Sequence, residues 1–192
     1  MIASHGKLRV YRPKLRPGSF DERPIVACIV GSAARMTLIA APRPSPPHGP
    51  EGPHLSEGSD NLQMLVSAGD VVAYVVGHRA GVDTAESQLI VADVARRQIV
   101  RETEAGHSVD AGFLFSQSVT ALVTTSQAAV AWIVQRSGAA ARSPKLAVYA
   151  APRRGRAVAL DEGDAIDPRS LQISAGAVHW IDGGVARSAP LP

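Results

Sequence analysis

The sequence predicts an all-β protein assembled from antiparallel, four-stranded repeat units. Three observations lead there. The segment VVAYVV at residues 71–76 returns as AVAWIV at residues 129–134, and a third copy, LQISAGAVHWIDGG, starts at Leu171 with Val178 and Trp180 in the places of Val130 and Trp132. Each copy follows an alternating apolar segment and a turn, as in LQMLV before Ser67-Ala68-Gly69-Asp70 and VTALV before Thr125-Ser126-Gln127, which is the pattern of a β-hairpin. The apolar fraction of 45% contains only 4% aromatic residues and is made largely of Ala and Val, so the core must be built from small and β-branched side chains.

Taken in chain order, residues 1–19 form a basic N-terminal segment: Lys7, Arg9, Arg12, Lys14 and Arg16 lie there without an acid among them, and KLRVYRP at 7–13 is a candidate single strand. A single β-repeat domain follows over residues 24–187. It opens on IVACIVGSAARMTLIA from Ile25, two strands about a turn at Gly31 to Arg35. Residues 42–60, PRPSPPHGPEGPHLSEGSD, carry many Pro and Gly and no apolar period, so they read as an inserted surface loop.

The hairpin around Tyr74 is then followed by SQLIVADVARRQIV from Ser87, and the hairpin around Trp132 by PKLAVYAAPRRGRAVAL from Pro144. Each of these followers is a strand, an Arg-containing turn and a second strand. The chain therefore reads as a second hairpin, two complete four-stranded units, and a first hairpin from Leu171. Pairing of the two terminal halves would complete one further sheet.

Repeats of about 45 to 60 residues, each of four short antiparallel strands, are a signature of propeller-type architecture, in which each sheet buries its faces on its neighbours. The pattern resembles β-propeller repeats, most nearly those of uncharacterised bacterial propeller-like proteins with a V-A-[YW]-[IV]-V hairpin followed by a strand, an Arg-containing turn and a strand. The resemblance covers roughly residues 24–187. It implies a partial or small β-propeller. The alternative is a β-sandwich or irregular barrel. Either arrangement places Tyr74, Trp132 and Trp180 in the core. Neither a tryptophan-aspartate nor a kelch signature occurs, so the partner habits of those families do not transfer.

The motifs of catalysis are absent. Cys28 is the single cysteine, which rules out an intramolecular disulfide and a Cys-rich metal cluster. His48 and His54 fall in the Pro-rich loop, His107 precedes Asp110 by three residues, and no H-E-x-x-H pattern supports any of them. His179, one residue before Trp180 in a strand, points away from that aromatic. The run LDEGDAIDPRS holds Asp161, Glu162, Asp164 and Asp167 but lacks EF-hand spacing, and reads as a link between sheets. Neither G-x-S-x-G nor a phosphate-binding Gly loop is present. The sequence thus assigns no catalytic residue, no cofactor and no metal ligand.

No apolar stretch approaches the roughly 20 residues of a membrane helix. As written the chain reads as soluble and cytoplasmic; a natural start further upstream would make it an exported protein.

Aligning the repeats brings out one constellation. Arg96 and Arg97, Arg153, Arg154 and Arg156, and Arg35 fall in equivalent second-hairpin turns, and equivalent turns of stacked sheets project from one rim. This rim is the candidate anion-binding site, since guanidinium forks match phosphate and carboxylate. The favoured function is a non-catalytic binding or scaffold module for a protein or peptide partner. The alternatives are a binder of anionic polymer, nucleic acid or acidic glycan, through the Arg rim, and a hydrolase or lyase using carboxylates such as Asp93 or Asp161. An incomplete ring would further imply self-association.

Overall fold

The structure, a computed structural model, describes residues 1–13, 24–39, 61–79, 84–109, 115–138 and 144–191. The Pro-rich loop at 42–60, with His48 and His54, lies outside the described residues. Among those described there are fifteen strands and no helix.

Sheet one consists of β1 (Ala3–His5), β2 (Leu8–Tyr11), β3 (Ile25–Ile29) and β4 (Arg35–Ile39). A second run follows: β5 (Asn61–Ala68), β6 (Val71–Arg79), β7 (Thr84–Asp93), β8 (Gln98–Val109), β9 (Phe115–Thr124), β10 (Val130–Ser137), β11 (Lys145–Ala151) and β12 (Val158–Gly163). These eight strands are hydrogen-bonded in sequence, but β8 meets β9 only at Ser108–Ser116 and Val109–Phe115. Beyond that seam the halves turn face to face as sheets two (β5–β8) and three (β9–β12). Sheet four is β13 (Ile166–Ser174), β14 (Ala177–Asp182) and β15 (Val185–Pro190). All pairings are antiparallel between strands consecutive in the chain.

Turn chemistry sets the registers. Two-residue loops join β1 to β2 at Gly6-Lys7 and β5 to β6 at Gly69-Asp70, with φ of 53° and 57° at the glycines. A positive φ at the first loop residue suits the right-handed twist of paired strands. The β9–β10 connection is longer: Ala128 adopts φ 65°, and the Thr125 hydroxyl accepts the Gln127 and Ala129 amides.

The second strand of each unit then follows one rule. Val72, Val130 and Val178 face the preceding sheet, as do Tyr74, Trp132 and Trp180, whereas Ala73, Ala131 and His179 face the opposite way. Three apolar clusters follow, lying between sheets one and two, two and three, and three and four. The aromatics are 0%, 2% and 5% exposed, so each is a wedge between two sheets. Two carry a polar tip that bonds the last strand of the sheet in front. The Tyr74 hydroxyl donates to the Leu38 carbonyl at 2.8 Å, and Trp180 Nε1 donates to Asp161 Oδ2 at 2.7 Å.

The first strands β1, β5, β9 and β13 lie beside one another in succession. Four layers are present, where a sandwich has two, and among the described residues no core cluster joins sheet one to sheet four.

Three sequence expectations change. The N-terminal unit has its own first hairpin: residues 3–11 supply β1 and β2, and Tyr11 stands in the register of Tyr74 and Trp180. The terminal halves do not share a sheet; β14 pairs with β15 across Gly183-Gly184, whose φ values of 57° and 80° only glycine adopts without strain. The acidic run is strand rather than link, since Asp161 and Glu162 lie in β12 and Asp167 in β13.

Truncating the wedges tests this architecture. Trp132→Ala is expected to lower unfolding free energy by about 3–5 kcal/mol through lost burial and a cavity. Tyr74→Phe should cost about 1–2 kcal/mol, because the buried Leu38 carbonyl loses a donor. Urea unfolding followed by circular dichroism measures both, and a Trp132→Ala loss below about 1 kcal/mol would contradict the wedge role.

Candidate functional site

Two of the six rim arginines are engaged between sheets, and a third within its own turn. Arg97, in the β7–β8 turn, donates from Nη2 to the Ala33 carbonyl in the β3–β4 turn at 2.5 Å, joining sheet two to sheet one. Arg153, in the β11–β12 turn, donates from Nη2 to Asp93 Oδ2 at 3.4 Å, joining sheet three to sheet two. Arg96 closes on the same carboxylate, its Nη1 at 2.6 Å from Oδ2 and its backbone amide at 3.1 Å from Oδ1. Arg35, Arg154 and Arg156 are exposed and make no side-chain bond to another described residue.

Asp93 is the residue that sequence reasoning about this rim overlooked. It ends β7, is 3% exposed, and collects cations from two sheets. Burial by itself would raise its pKa; the hydrogen bonds from Arg96, and the charges of Arg96 and Arg153, outweigh that and hold it below the ordinary value. Asp70, in the loop of the neighbouring β5–β6 hairpin, offers its carbonyl to the Val94 amide at 2.9 Å and so pins the turn that follows Asp93.

A third arginine extends the stitch. Arg101 Nη2 donates to the Pro152 carbonyl at 2.6 Å and the Gly155 carbonyl at 3.0 Å, which ties β8 to the β11–β12 turn. Its own Nε is buried without a partner, and burial depresses its pKa.

The carboxylates weighed for hydrolysis are therefore committed to structure. Asp93 is held by Arg96 and Arg153, while Asp161 accepts the Trp180 indole at 2.7 Å and the Glu162 amide at 2.9 Å. Among the described residues, no group of three or more His, Cys, Asp or Glu is placed to hold a metal ion. Cys28 is half-buried and unpaired in sheet one.

Two concavities are lined by described residues. A cleft of about 240 Å³ opens between sheets two and three, where Trp132 stacks on Tyr149 with ring centroids 5.4 Å apart. Arg136 lies over the Tyr149 ring at 5.9 Å, bonds its hydroxyl, and reaches Glu162 at 3.2 Å, while its Nε is buried without a hydrogen-bond partner.

A broader groove of about 630 Å³ takes residues from all three strands of sheet four, among them Arg169, Gln172, His179, Ile181 and Arg187. The groove exists because β13 bulges. Between the pairs Asp167–Ile181 and Gln172–His179 four residues of β13 pass a single residue of β14, and the Ser170 hydroxyl fills the gap by accepting the Ile181 amide at 2.8 Å. His179 Nε2 lies 3.4 Å from the Ser174 carbonyl.

The Asp93 junction carries a pH signature. Its folded pKa is depressed, so the stability it contributes is complete above the unfolded value of about 3.9 and is lost as pH falls through the lower folded value. Asp93→Asn should cost about 1–3 kcal/mol at neutral pH and flatten the stability profile in that acid range. Urea midpoints measured from pH 7 downward would show the two curves converging; parallel curves would remove Asp93 from this role.

Compared with known proteins, the chain matches no family model, no curated protein and no solved structure.

Proposed function

We infer that the chain is a propeller-like, non-catalytic binding module whose partner, a protein or an extended peptide, seats on the outward face of sheet four. The observation that carries this reading is a face without a cover. In sheets one, two and three the positions of Val10, Ala73 and Ala131 are buried under the next sheet, but the corresponding side of sheet four holds Ala177, His179 and Ile181 beside the groove, with Ile181 38% exposed. A surface of this geometry already receives another layer three times in the same molecule. The succession of β1, β5, β9 and β13 supports the radial arrangement of a propeller, with its ring left open.

Two further features favour binding over catalysis. The best-positioned carboxylates are bonded within the fold, and the concave surface on sheet four is lined by groups that hydrogen-bond and stack. An anionic polymer on the rim is less favoured, since Arg97 and Arg153 already serve as links between sheets and Arg96 is held by Asp93 of its own turn.

Photo-crosslinking tests the reading. A benzophenone amino acid at Ile181 should capture a partner from source cells, and adding Gln172→Arg and Ala186→Arg should abolish capture while leaving the thermal midpoint unchanged. Capture that survives both substitutions would place the partner elsewhere and end this assignment.

A further inference from the structure

We propose that the outward face of sheet four receives sheet one of a second copy of the chain, so that two four-sheet arcs join head to tail into one closed ring. This rests on the reading of sheet four as a docking face and names its occupant.

The junctions inside the chain share one construction. The later sheet supplies an aromatic wedge from its second strand, Tyr74, Trp132 or Trp180. At the first two junctions it also supplies an arginine from its second-hairpin turn, Arg97 reaching the Ala33 carbonyl and Arg153 reaching Asp93. The earlier sheet supplies an apolar face, such as Val71, Ala73 and Val75 of sheet two. Both halves of one more junction are present, at opposite ends of the stack. On sheet one Tyr11 holds the wedge register, pairing with Val26 as Tyr74 pairs with Ile90. Arg35, at the end of the second-hairpin turn, pairs with Cys28, which in turn pairs with Arg9, so it lies on the same outward side. Neither the Tyr11 nor the Arg35 side chain bonds a described residue, and no apolar cluster of described residues lies on that side. On sheet four Ala177, His179 and Ile181 hold the places of Val71, Ala73 and Val75, with no described sheet against them.

The polar groups of the two faces are compatible. Arg9 is folded back on the Gly6 and Leu8 carbonyls at 2.6 and 2.8 Å, which leaves Arg35 as the free cation of the pair. Both stand at the register level of Val178, where sheet four turns out Ser174, Gln172 and Ser188, all uncharged and all able to accept a hydrogen bond. The charges of the sheet-four face, Asp167 and Arg169, are opposite in sign and lie toward the other end of β13. The Leu191 amide donates to the Gly176 carbonyl at 2.9 Å, so by antiparallel alternation the Ser188 and Pro190 carbonyls point away from β14, along an edge with no other described strand. Tyr74 and Arg97 already use backbone carbonyls of this kind, at Leu38 and Ala33. Arg9 and His179 make these faces more polar than the inner junctions, as befits an interface formed between chains already folded. Closure follows from the radial order: β1, β5, β9 and β13 succeed one another, and two copies of four sheets make eight, within the four to eight usual for propellers.

Analytical ultracentrifugation of the full chain over a range of concentrations tests this. A species of twice the 20.1 kDa chain mass is expected. Tyr11→Asp on the wedge side and Ile181→Arg on the receiving side should each raise the dimer dissociation constant about tenfold or more, as the loss of a central contact does. Arg35→Glu is the second variant of the wedge side and should also weaken the dimer, whereas Arg154→Gln/Arg156→Gln, on the exposed rim, should leave it unchanged. Circular dichroism confirms that each variant is folded. Mixing Tyr11→Asp with Ile181→Arg should restore a dimer weaker than the parent, because one intact wedge side then meets one intact receiving side. A parent that stays monomeric, or a mixture without association, overturns the proposal. A dimer lost in Ile181→Arg but kept in Tyr11→Asp and Arg35→Glu marks sheet four pairing with itself and overturns it too, as does growth into assemblies larger than a dimer. A monomeric parent together with capture of a different protein at Ile181 ends the second-copy assignment and keeps the docking face; a monomeric parent with no capture removes both.

Discussion

The fold depends on burial between sheets. A sheet of small and β-branched residues is too thin to make a core alone, and each inner sheet here is apolar on both faces, so it is stable only as a layer in a stack. One aromatic per junction supplies the bulk that Ala and Val lack. Tyr74, Trp132 and Trp180 all point to the sheet in front, and the hydroxyl of Tyr74 and the indole NH of Trp180 bond its last strand, which fixes the lateral position of neighbouring layers as well as their separation. Trp132 uses a different device, stacking on Tyr149 within its own sheet.

Polar links reinforce that apolar order along one rim. Arginine is suited to the task because a planar fork on a long stem can leave its own turn and reach a carbonyl or carboxylate in the next sheet. Arg97, Arg101 and Arg153 each do so, the first two onto backbone carbonyls and Arg153 onto the buried carboxylate of Asp93. Burying a carboxylate is unfavourable, but two guanidinium groups and a backbone amide compensate it, and removing either side would strand the other. The rim is therefore first a set of structural links. Exposed Arg35, Arg154 and Arg156 add charge to it without adding contacts.

The ends of the stack differ from its interior in a physically consistent way. Interior positions are Val or Ala, whereas the outward face of the first sheet carries Arg9 in the place of Val72, Val130 and Val178, and that of the fourth carries His179 in the place of Ala73 and Ala131. Terminal repeats need polar outer faces to remain in water. On sheet four this polarity comes with a bulged strand and a groove, a combination the outward positions Arg9, Tyr11 and Arg35 of sheet one do not repeat.

The periodic sequence by itself determined the repeating unit. Hairpins around VVAYVV, AVAWIV and AVHWID, the Arg-containing turns and the alternation that buries Tyr74, Trp132 and Trp180 are local consequences of strand period and turn chemistry, so they are legible in one dimension. The β14–β15 hairpin was legible as well, in Asp182-Gly183-Gly184, although pairing between the chain ends was expected in its place. Residues 3–11 carried too few apolar side chains to announce two strands. What only the tertiary structure decided lies between units: that Asp93 receives Arg153 from sixty residues away, that the chain ends form separate sheets, and that β13 bulges to open a groove. Those outcomes depend on which sheet lies against which, and contacts of that kind arise from packing between distant segments, which no local pattern encodes.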